Sequence, residues 1–335
     1  MYTYRVTLDK RVYDIAKYEL NALVDAYGVK ASIDIHGNRC IINSRVPLDA
    51  IFLRAALIID AEKELGYPDR IDWNAVFTTK SRLGSSIPYT YKVEKIYADS
   101  YKKDKILRLI HESICKVARD AKASLRYPQI VLRAYEQEGN LVIFQRIITG
   151  REIILRRQPK YRPYAPPASM DSILARALVN MTKLVPGEIF LDPFCGTGSL
   201  VIEASAIGLV SYGSDINSRF VEVARMLVEY YGFKANLRVA DARDLPHGDD
   251  SIDGIATDPP YGISSPTYGE DVKELYQKFI VEAMRILKRN RYLVICHTPF
   301  IKAEEMGEEV GFKVISQLRM RVHSKLTRLI TILRT

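Results

Sequence analysis

The sequence predicts an α/β protein built from an N-terminal α+β region and a C-terminal, mostly parallel sheet with helices on both faces. Three observations support this prediction. Strand and helix patterns alternate regularly after Ser169, whereas before Pro159 they come in a mixed order with hairpin turns at Gly37-Asn38 and Gly139-Asn140. A cluster of prolines between Pro159 and Pro167 separates the two patterns and marks the main boundary.

The N-terminal region divides into two small α+β units, at 1–65 and 66–157, followed by a linker at 158–168. In the first unit, the periodicity predicts strands at 3–8, 31–35 and 39–42 and helices at 12–27 and 47–65. The second unit contains apolar segments at 71–77 and 89–96, an amphipathic helix at 102–121 and strands at 130–137 and 141–149.

The C-terminal domain, 169–335, alternates strands with helices, which predicts parallel pairing. Its predicted strands are 189–192, 209–215, 236–240, 252–257, 292–297, 312–319 and 328–333, and its predicted helices are 199–207, 218–230, 272–288 and 302–310. The chain of 335 residues is 47% hydrophobic and 27% charged, which is the composition of a folded, soluble protein.

The net charge of +9 is concentrated in one part of the chain. Residues 101–162 contain 15 Lys or Arg against 6 Asp or Glu, whereas the remainder has 34 of each. A concentrated cationic segment can neutralise phosphates and release counterions from a polyanion, although a solvated helix face explains the same pattern. The candidate residues for nucleic-acid binding are Lys102, Lys105, Arg108, Arg119, Lys122, Arg126, Arg156, Arg157 and Arg162.

The cysteines and histidines show no disulfide or metal-binding pattern. The four cysteines are far apart and form no CxxC pair, and the five histidines lack the spacing of metal ligands. We therefore expect reduced, mostly buried cysteines and no metal.

The N-terminus lacks the apolar core of a secretory signal, and no segment has the pattern of a membrane span, so the expected location is the cytoplasm, without membrane association.

An acidic, glycine-containing loop follows the first predicted strand of the C-terminal domain. The segment Asp192-Pro193-Phe194-Cys195-Gly196-Thr197-Gly198 leads from an apolar strand into a helix, and such a loop lets the backbone approach a nucleotide-like ligand. Asp192 would repel a pyrophosphate but attract a cation, such as the ammonium and sulfonium groups of S-adenosylmethionine. The candidate ligand-binding residues here are Asp192, Pro193, Cys195, Gly196 and Gly198.

Two further acids follow the next two predicted strands. Asp215, with Ile216 beside it, lies 23 residues beyond Asp192, about the spacing at which an acid accepts hydrogen bonds from ribose hydroxyls. Asp241, followed by Ala242, is the candidate acceptor for the amino group of adenine. Each acid alone also suits a helix N-cap, but three acids in register favour a ligand site.

The fourth predicted strand ends in Asp258-Pro259-Pro260-Tyr261-Gly262. The two prolines fix the backbone and hold the Pro259 carbonyl in place, and Tyr261 offers a ring that can stack on a planar base. Asp258 and that carbonyl are acceptors for an aromatic NH2 group, which attacks a methyl donor poorly until its developing positive charge is stabilised. Asp258, Pro259 and Tyr261 are therefore the candidate catalytic residues, and an ordinary turn before a core tyrosine is the alternative.

The motifs DPFCGTG, GSDIN, ADARD and DPPYG, in this order, resemble class I S-adenosylmethionine-dependent methyltransferases of the amino-methylating branch. The resemblance implies a Rossmann-like methyltransferase domain, a seven-stranded sheet with its last strand antiparallel, and S-adenosyl-L-methionine as cofactor. It also implies that Asp258, which borders the cofactor site, and the Pro259 carbonyl accept hydrogen bonds from the exocyclic amine. Since tyrosine rather than cysteine follows the prolines, direct transfer to nitrogen is favoured over thiolate chemistry.

The N-terminal region resembles, by pattern, a ferredoxin-like domain at 1–65 and a THUMP RNA-binding domain at 66–157. The stretches 161–180 and 321–328 resemble the archaeal tRNA guanosine-10 N2-methyltransferases, so that the similarity spans nearly the whole chain. This family implies one or two methyl transfers to the N2 amine of guanosine 10 in tRNA, on a base rotated out of its stack. Removal of residues 1–160 should then leave cofactor affinity near normal and abolish methylation of RNA.

Other classes of protein share parts of this pattern. A DNA adenine or cytosine-N4 methyltransferase, a protein glutamine methyltransferase, or an RNA-binding protein without activity would each keep some of these motifs. The residues leave open whether one or two methyl groups are transferred, which nucleotide is modified and whether a partner subunit is needed. We expect a monomer with tRNA as its partner.

Overall fold

The computed structural model describes residues 1–78, 90–118, 121–166, 169–261, 271–323 and 326–335. These residues form two units that each draw on several segments of the chain. The first unit comprises Met1–Thr7, Ala31–Asp49 and Asp60–Ile148, and the second comprises Leu8–Lys30, Ala50–Ile59 and Thr149–Thr335. No described helix combines the length and the apolar character that crossing a bilayer requires.

The strands of the N-terminal half form one mixed sheet. The elements of this half are β1 (Tyr2–Leu8), α1 (Tyr13–Ala26), β2 (Ala31–His36), β3 (Arg39–Ser44), α2 (Asp49–Arg54), β4 (Ile58–Gly66), α3 (Trp73–Thr78), β5 (Thr90–Tyr97), α4 (Lys103–Cys115), β6 (Lys122–Ala123), β7 (Ile130–Gln137) and β8 (Asn140–Ile147). The order in the sheet is β2-β3-β1-β4-β8-β7-β5-β6. The sheet therefore runs through both predicted N-terminal units, whose boundary at residues 65 and 66 stays a prediction.

The prediction of a helix at 47–65 is wrong for the residues after 54. Only Asp49–Arg54 is helical, and β4 lies between β1 and β8 in the sheet. The alanine, leucine, glutamate and lysine of this segment favour a helix when taken alone. Pairing on both sides and burial of Ile58, Ala61 and Glu62 outweigh that preference.

Two neighbouring segments also differ from simple periodicity. The apolar segment at 71–77 forms the short helix α3, whereas the segment at 89–96 gives the strand β5. Helix α4 ends at Cys115 instead of residue 121. Its buried residues Ile106, Ile110 and Ile114 confirm the amphipathic character that the spacing predicts.

The strands of the C-terminal half form the expected seven-stranded sheet. The elements of this half are α5 (Gly150–Ile154), α6 (Ser172–Met181), β9 (Ile189–Asp192), α7 (Ser199–Ser205), β10 (Val210–Asp215), α8 (Ser218–Tyr230), β11 (Asn236–Val239), β12 (Ile252–Thr257), α9 (Val272–Ile286), β13 (Leu287–His297), α10 (Ala303–Val310), β14 (Lys313–His323) and β15 (Leu326–Arg334). The order is β11-β10-β9-β12-β13-β15-β14. Strands β9 to β13 pair in parallel, and β15 is antiparallel to β13 and β14. The Rossmann-like fold is confirmed.

The core of this sheet holds the loop after β9 in place. Tyr276 and Phe279 of α9 are fully buried together with Ile255 and Leu293 from the central strands. Phe194, in the loop after β9, stands edge-on to Phe279, with ring centroids 5.1 Å apart. Packing between the strand ends and α9 therefore fixes the first turn of the glycine-containing loop.

No helix is predicted from the sequence at α6, which brings N-terminal segments into the second unit. All ten of its residues are buried, and its polar residues Ser172, Arg176 and Asn180, spaced four apart on one face, bond to protein partners instead of solvent. Its Asn180 donates a hydrogen bond of 2.7 Å to Glu19 of α1, which also accepts the backbone N–H groups of Ala56 and Leu57 at 2.8 Å each. Removal of residues 1–160 would remove these partners of α6. The truncation expected to isolate the C-terminal domain would therefore also take away part of the second unit.

A buried cluster of charges joins the linker to α6 and α7. Glu203 of α7 is fully buried, accepts two hydrogen bonds from Arg157 (2.7 and 2.8 Å) and pairs with Arg176 at 2.7 Å. Arg162 donates to the hydroxyls of Ser199 (2.9 Å) and Ser172 (3.0 Å) and to the carbonyl of Arg157 (3.1 Å). Burial lowers the pKa of Arg176 to about 10, and the negative charge of Glu203 opposes this shift.

Replacement of Glu203 should destabilise the second unit. Glu203→Ala leaves Arg157 and Arg176 as buried charges without their carboxylate, and we expect a loss of about 3–5 kcal/mol in the free energy of unfolding. Chemical denaturation measures this loss. The matched control is Glu305→Ala, which breaks an exposed pair with Lys302 and should change stability little. Equal effects of the two substitutions would contradict a structural role for the cluster.

Candidate active site

The predicted site residues meet at the edge where the parallel strands end. Strand β9 lies between β10 and β12, so that the strand order reverses there and leaves the crevice in which open α/β sheets bind ligands. Asp192 ends β9, Asp215 ends β10 and Asp258 directly follows β12. The three carboxylates therefore share one edge, as their positions in the sequence predict.

The glycine-containing loop turns sharply between β9 and α7. Gly196 has φ +49° and Gly198 φ +83°, a backbone region that side chains rarely adopt. The N–H of Cys195 donates to the Ser214 carbonyl and the N–H of Gly198 to the Cys195 carbonyl, both at 2.8 Å. Pro193 and Cys195 are buried, while Gly196 is partly exposed, so the loop offers backbone rather than side chains to a ligand.

Asp192 is a buried carboxylate with spare hydrogen-bonding capacity. Its Oδ1 accepts the Thr257 hydroxyl at 2.7 Å and the Phe194 N–H at 3.2 Å. Its Oδ2 is buried and has no hydrogen-bond partner in the described part of the chain. Burial raises the pKa of Asp192 to about 7, and the charges of Asp215 and Asp258 add to the shift. The site therefore favours a ligand that brings a positive charge or a donor to Oδ2.

Asp215 is held by backbone amides of two loops. Its Oδ2 accepts the Gly196 N–H and its Oδ1 accepts the Asn217 N–H, both at 2.9 Å. Burial raises the pKa of this carboxyl, although both amides oppose the shift. Each oxygen keeps a lone pair for a further donor, and Ile216 next to it is half exposed. The arrangement suits a pair of hydroxyl groups.

Asp241 is less available than the sequence indicates. Strand β11 ends at Val239, two residues before Asp241. The Arg243 side chain donates from Nε to both carboxylate oxygens of Asp241 at 2.9 and 3.0 Å, and this pairing lowers the pKa of Asp241. A ligand amine must share the carboxylate with Arg243, and Ala242 is buried beside it. The adenine role of Asp241 stays a prediction.

The Asp258 to Tyr261 segment, which we call the acceptor loop, lies next to Asp192. Oδ1 of Asp258 accepts the hydroxyl of Tyr261, and the Pro259 carbonyl accepts the hydroxyl of Tyr276 at 3.4 Å. Burial raises the pKa of Asp258. The positive charge of Arg328 and, to a smaller extent, the hydrogen bond from Tyr261 oppose this shift. Gly262 lies outside the described residues.

Sequence reasoning assigns no role to three residues at this edge. Thr257 orients Asp192, Tyr276 contacts the Pro259 carbonyl, and Arg328 places its Nη2 3.6 Å from Oδ2 of Asp258. Arg328 ends the stretch 321–328, which the sequence singles out by its resemblance to a methyltransferase family, but nothing local connects it to the acceptor loop. Tyr276 comes from a helix of ordinary amphipathic pattern and gives no signal.

The basic residues divide into surface and buried groups. Lys102, Lys105 and Arg108 are exposed at or near the start of α4, Lys122 and Arg126 are exposed after it, and Arg156 is exposed just before the linker. Arg119 lies outside the described residues. The roles of all these residues stay predictions.

The structure does not support RNA contacts by Arg157 and Arg162. Both side chains are buried, and their donors bond to Glu203, to two serine hydroxyls and to a backbone carbonyl. Arg133, part of the same basic segment, is also buried and pairs with three acids, Asp60, Glu62 and Glu94. Charge counted along the sequence therefore overstates the charge that reaches the surface.

Comparisons with known proteins agree with this geometry. The family model described as UPF0020, the RMKL-like methyltransferase domain, matches residues 159–330. A tRNA (guanine(10)-N2)-dimethyltransferase of Methanothermobacter thermautotrophicus is 34% identical over 66% of this chain and 66% of its own length, just under two thirds. The protein of the same name from Methanocaldococcus jannaschii is 28% identical over 85% of this chain and 88% of its own length.

A solved structure shares the fold along the whole chain. The crystal structure of TrmN from Thermus thermophilus is 20% identical, with a TM-score of 0.51 and complete coverage of both chains. At this identity the likeness concerns the fold alone.

Among the described residues, no group of three or more His, Cys, Asp and Glu side chains has a metal-binding arrangement.

The buried Asp192 should make stability depend on pH. Because its folded pKa of about 7 lies above the unfolded value near 4, the folded protein holds this proton more tightly. The resulting stability is complete below about pH 4 and is lost as the pH rises through about 7, by about 4 kcal/mol. We expect Asp192→Asn to raise the free energy of unfolding more at pH 8 than at pH 5, as measured by denaturant titration in the absence of ligand.

Asp241→Asn provides the matched control. The pKa of Asp241 is lowered by Arg243, so its contribution has the opposite sign and is lost as the pH falls. If Asp192→Asn changes stability equally at both pH values, Asp192 is already ionised without cost in the folded protein.

Proposed function

Since the chain belongs to the family of RMKL-like methyltransferase domains, we propose that it transfers methyl groups from S-adenosylmethionine to the N2 amine of guanosine 10 in tRNA. One observation carries the proposal: the acceptor loop lies at the same sheet edge as Asp192 and Asp215, so that a methyl acceptor and a donor would meet there. The names of the relatives supply the nucleotide.

The residues present fit S-adenosylmethionine. Oδ2 of Asp192, which has no partner among the residues that the structure describes, would face the positively charged methionine part, and Asp215 would accept the ribose hydroxyls. Gly196 and Gly198 leave the loop backbone open to the ligand, and Ile216 offers an apolar surface near the ribose position. When bound, the cofactor supplies an electrophilic methyl group on sulfur.

The acceptor loop suits an amine attached to an aromatic ring. The lone pair of such an amine is delocalised, so the amine needs hydrogen-bond acceptors that orient it and stabilise the positive charge that develops on nitrogen. Asp258 and the Pro259 carbonyl are these acceptors, and the Tyr261 ring would pack against the base.

Thiolate chemistry does not fit the site. Cys195 and Cys296 are buried, and burial raises the pKa of both thiols well above the usual value. Both cysteines are thus protonated at neutral pH, whereas methylation at a ring carbon of a pyrimidine needs a thiolate nucleophile. Direct transfer to nitrogen is the reaction that these side chains support.

The N-terminal region would bind the tRNA. Guanine 10 must rotate out of the tRNA core to reach Tyr261, and unstacking costs a few kcal/mol that remote phosphate contacts can offset. Exposed lysines and arginines of α4 and of the segment after it would provide these contacts. In this proposal the region comprises a ferredoxin-like and a THUMP domain, and the enzyme works as a monomer in the cytoplasm without a metal.

Nucleoside analysis tests the proposed reaction. Incubation of the protein with S-adenosylmethionine and an unmodified tRNA transcript should produce N2-methylguanosine or N2,N2-dimethylguanosine, detected by mass spectrometry. A transcript with adenosine at position 10 should remain unmodified. Asp258→Ala should reduce turnover by at least about a hundredfold while cofactor affinity stays near normal, because the lost acceptor acts on the transition state.

The exposed Asp244 supplies the matched control, and Asp244→Ala should keep near-normal turnover. Methylation of duplex DNA or of protein instead of tRNA would replace the proposal by one of the other amino-methyltransferase classes. Tight binding of tRNA without any methylation would indicate a binding protein and overturn the proposal.

The α4 surface should determine the salt dependence of tRNA binding. Replacement of Lys102, Lys105 and Arg108 by Gln removes three cations, so the slope of log affinity against log salt should fall by about 2–3. The turnover number at saturating tRNA should change little. Gln at the exposed Lys10, Lys30 and Lys302 removes the same charge from the second unit. Equal slopes for the two triple variants would place the tRNA elsewhere.

A further inference from the structure

Arg328 reaches the acceptor loop because β15 runs against the other strands. Strands β12 and β13 end at the ligand edge of the sheet, whereas the antiparallel β15 begins there. His297, the last residue of β13, pairs with Leu329, so Arg328 extends one residue beyond the end of β13. An arginine at the start of the last strand is thereby brought to a carboxylate 70 positions earlier in the chain.

The contact between Arg328 and Asp258 is an ion pair without a direct hydrogen bond. Nη2 of Arg328 lies 3.6 Å from Oδ2 of Asp258, and both side chains are 19% exposed. The guanidinium carbon lies 5.7 Å from the centre of the Tyr261 ring. The Nε of Arg328 is buried and finds no hydrogen-bond partner in the described part of the chain. The guanidinium is therefore oriented by the charge of Asp258 and by Tyr261.

The other described groups around Asp258 are neutral or negative. Tyr261 donates to its Oδ1, while Tyr276 of α9 and Cys296 of β13 also face it. Burial raises the pKa of Tyr276 and Cys296 well above their usual values, so both are uncharged at neutral pH. Asp192 of β9 adds repulsion. Within the described residues, Arg328 is thus the cation that offsets the burial of Asp258.

We propose that Arg328 is a positioning residue that keeps Asp258 as a carboxylate facing the substrate amine. This inference rests on the proposed function, in which Asp258 accepts a hydrogen bond from that amine. A protonated Asp258 has less acceptor capacity and carries no charge to balance the one that develops on nitrogen. Arg328 acts through Asp258 and takes no part in bond making.

The pH dependence of methyl transfer tests this role. With tRNA and S-adenosylmethionine both saturating, the turnover number should fall on the acid side as Asp258 takes up a proton. Arg328→Met keeps much of the side-chain volume and removes the charge, so the acid limb should move to higher pH by about 1–3 units, the usual effect of one nearby opposite charge. The variant should approach the wild-type rate at high pH.

Two further variants separate this role from general damage. Arg328→Lys retains the charge and should keep the acid limb within about half a unit of wild type. Arg319→Met removes an exposed cation from β14, where Arg319 pairs with Leu329, and should leave the limb unchanged even where it weakens tRNA binding. A rate for Arg328→Met that is reduced equally at every pH would overturn the proposal.

A second measurement needs no RNA and is independent of the proposed function. Carbon-13 labelling of the aspartate carboxyl groups, with the Asp258 signal identified by its loss in Asp258→Asn, allows NMR titration of this residue in the full chain. The midpoint should rise in Arg328→Met relative to wild type and stay near wild type in Arg328→Lys. An unchanged midpoint in Arg328→Met refutes the role of Arg328, whereas absent tRNA methylation with a shifted midpoint refutes only the proposed substrate.

Discussion

The site depends on keeping three carboxylates together at one poorly solvated sheet edge. Burial raises the pKa of Asp192, Asp215 and Asp258, which means that the free protein pays in stability for each negative charge. Backbone amides offset part of this cost at Asp215 and Arg328 offsets part at Asp258. At Asp192 one buried oxygen has no partner among the described residues, so a cationic ligand would remove a cost that these residues leave in place.

A second set of charges holds the loop from behind. Arg157, just before the linker, bonds to Glu203, and Arg162 of the linker bonds to Ser199 at the start of α7, the helix that follows the glycine-containing loop. These cations therefore stabilise the scaffold, and among the described candidate residues the exposed ones, near α4 and at Arg156, remain for a polyanion. The positive charge that a basic segment presents at the surface thus depends on how many of its arginines pair with buried acids.

Local patterns sufficed for the elements that position the site, and long-range contacts account for the differences. Strands β9 and β12 and helix α8 match their expected bounds because short apolar runs and an amphipathic period define them. The polar residues of helix α6 face buried partners instead of solvent, and β4 is paired on both sides, so long-range contacts determine how both elements pack. Arg328 and Tyr276 reach the acceptor loop only through sheet topology and helix packing, which a single sequence does not contain.

In the proposed reaction, the acceptor loop would need little rearrangement when the substrate arrives. A carboxylate offers about four lone-pair positions, and the described contacts of Asp258 use one hydrogen bond from Tyr261 and one ion pair with Arg328. The Pro259 carbonyl likewise keeps capacity beyond its long contact with Tyr276. A substrate amine can therefore add to both acceptors without displacing their protein partners, and Tyr261 keeps its ring oriented through its own hydroxyl. Under the proposed mechanism, little reorganisation would then be needed when charge develops on the attacking nitrogen, which is the condition for electrostatic catalysis by a preformed site.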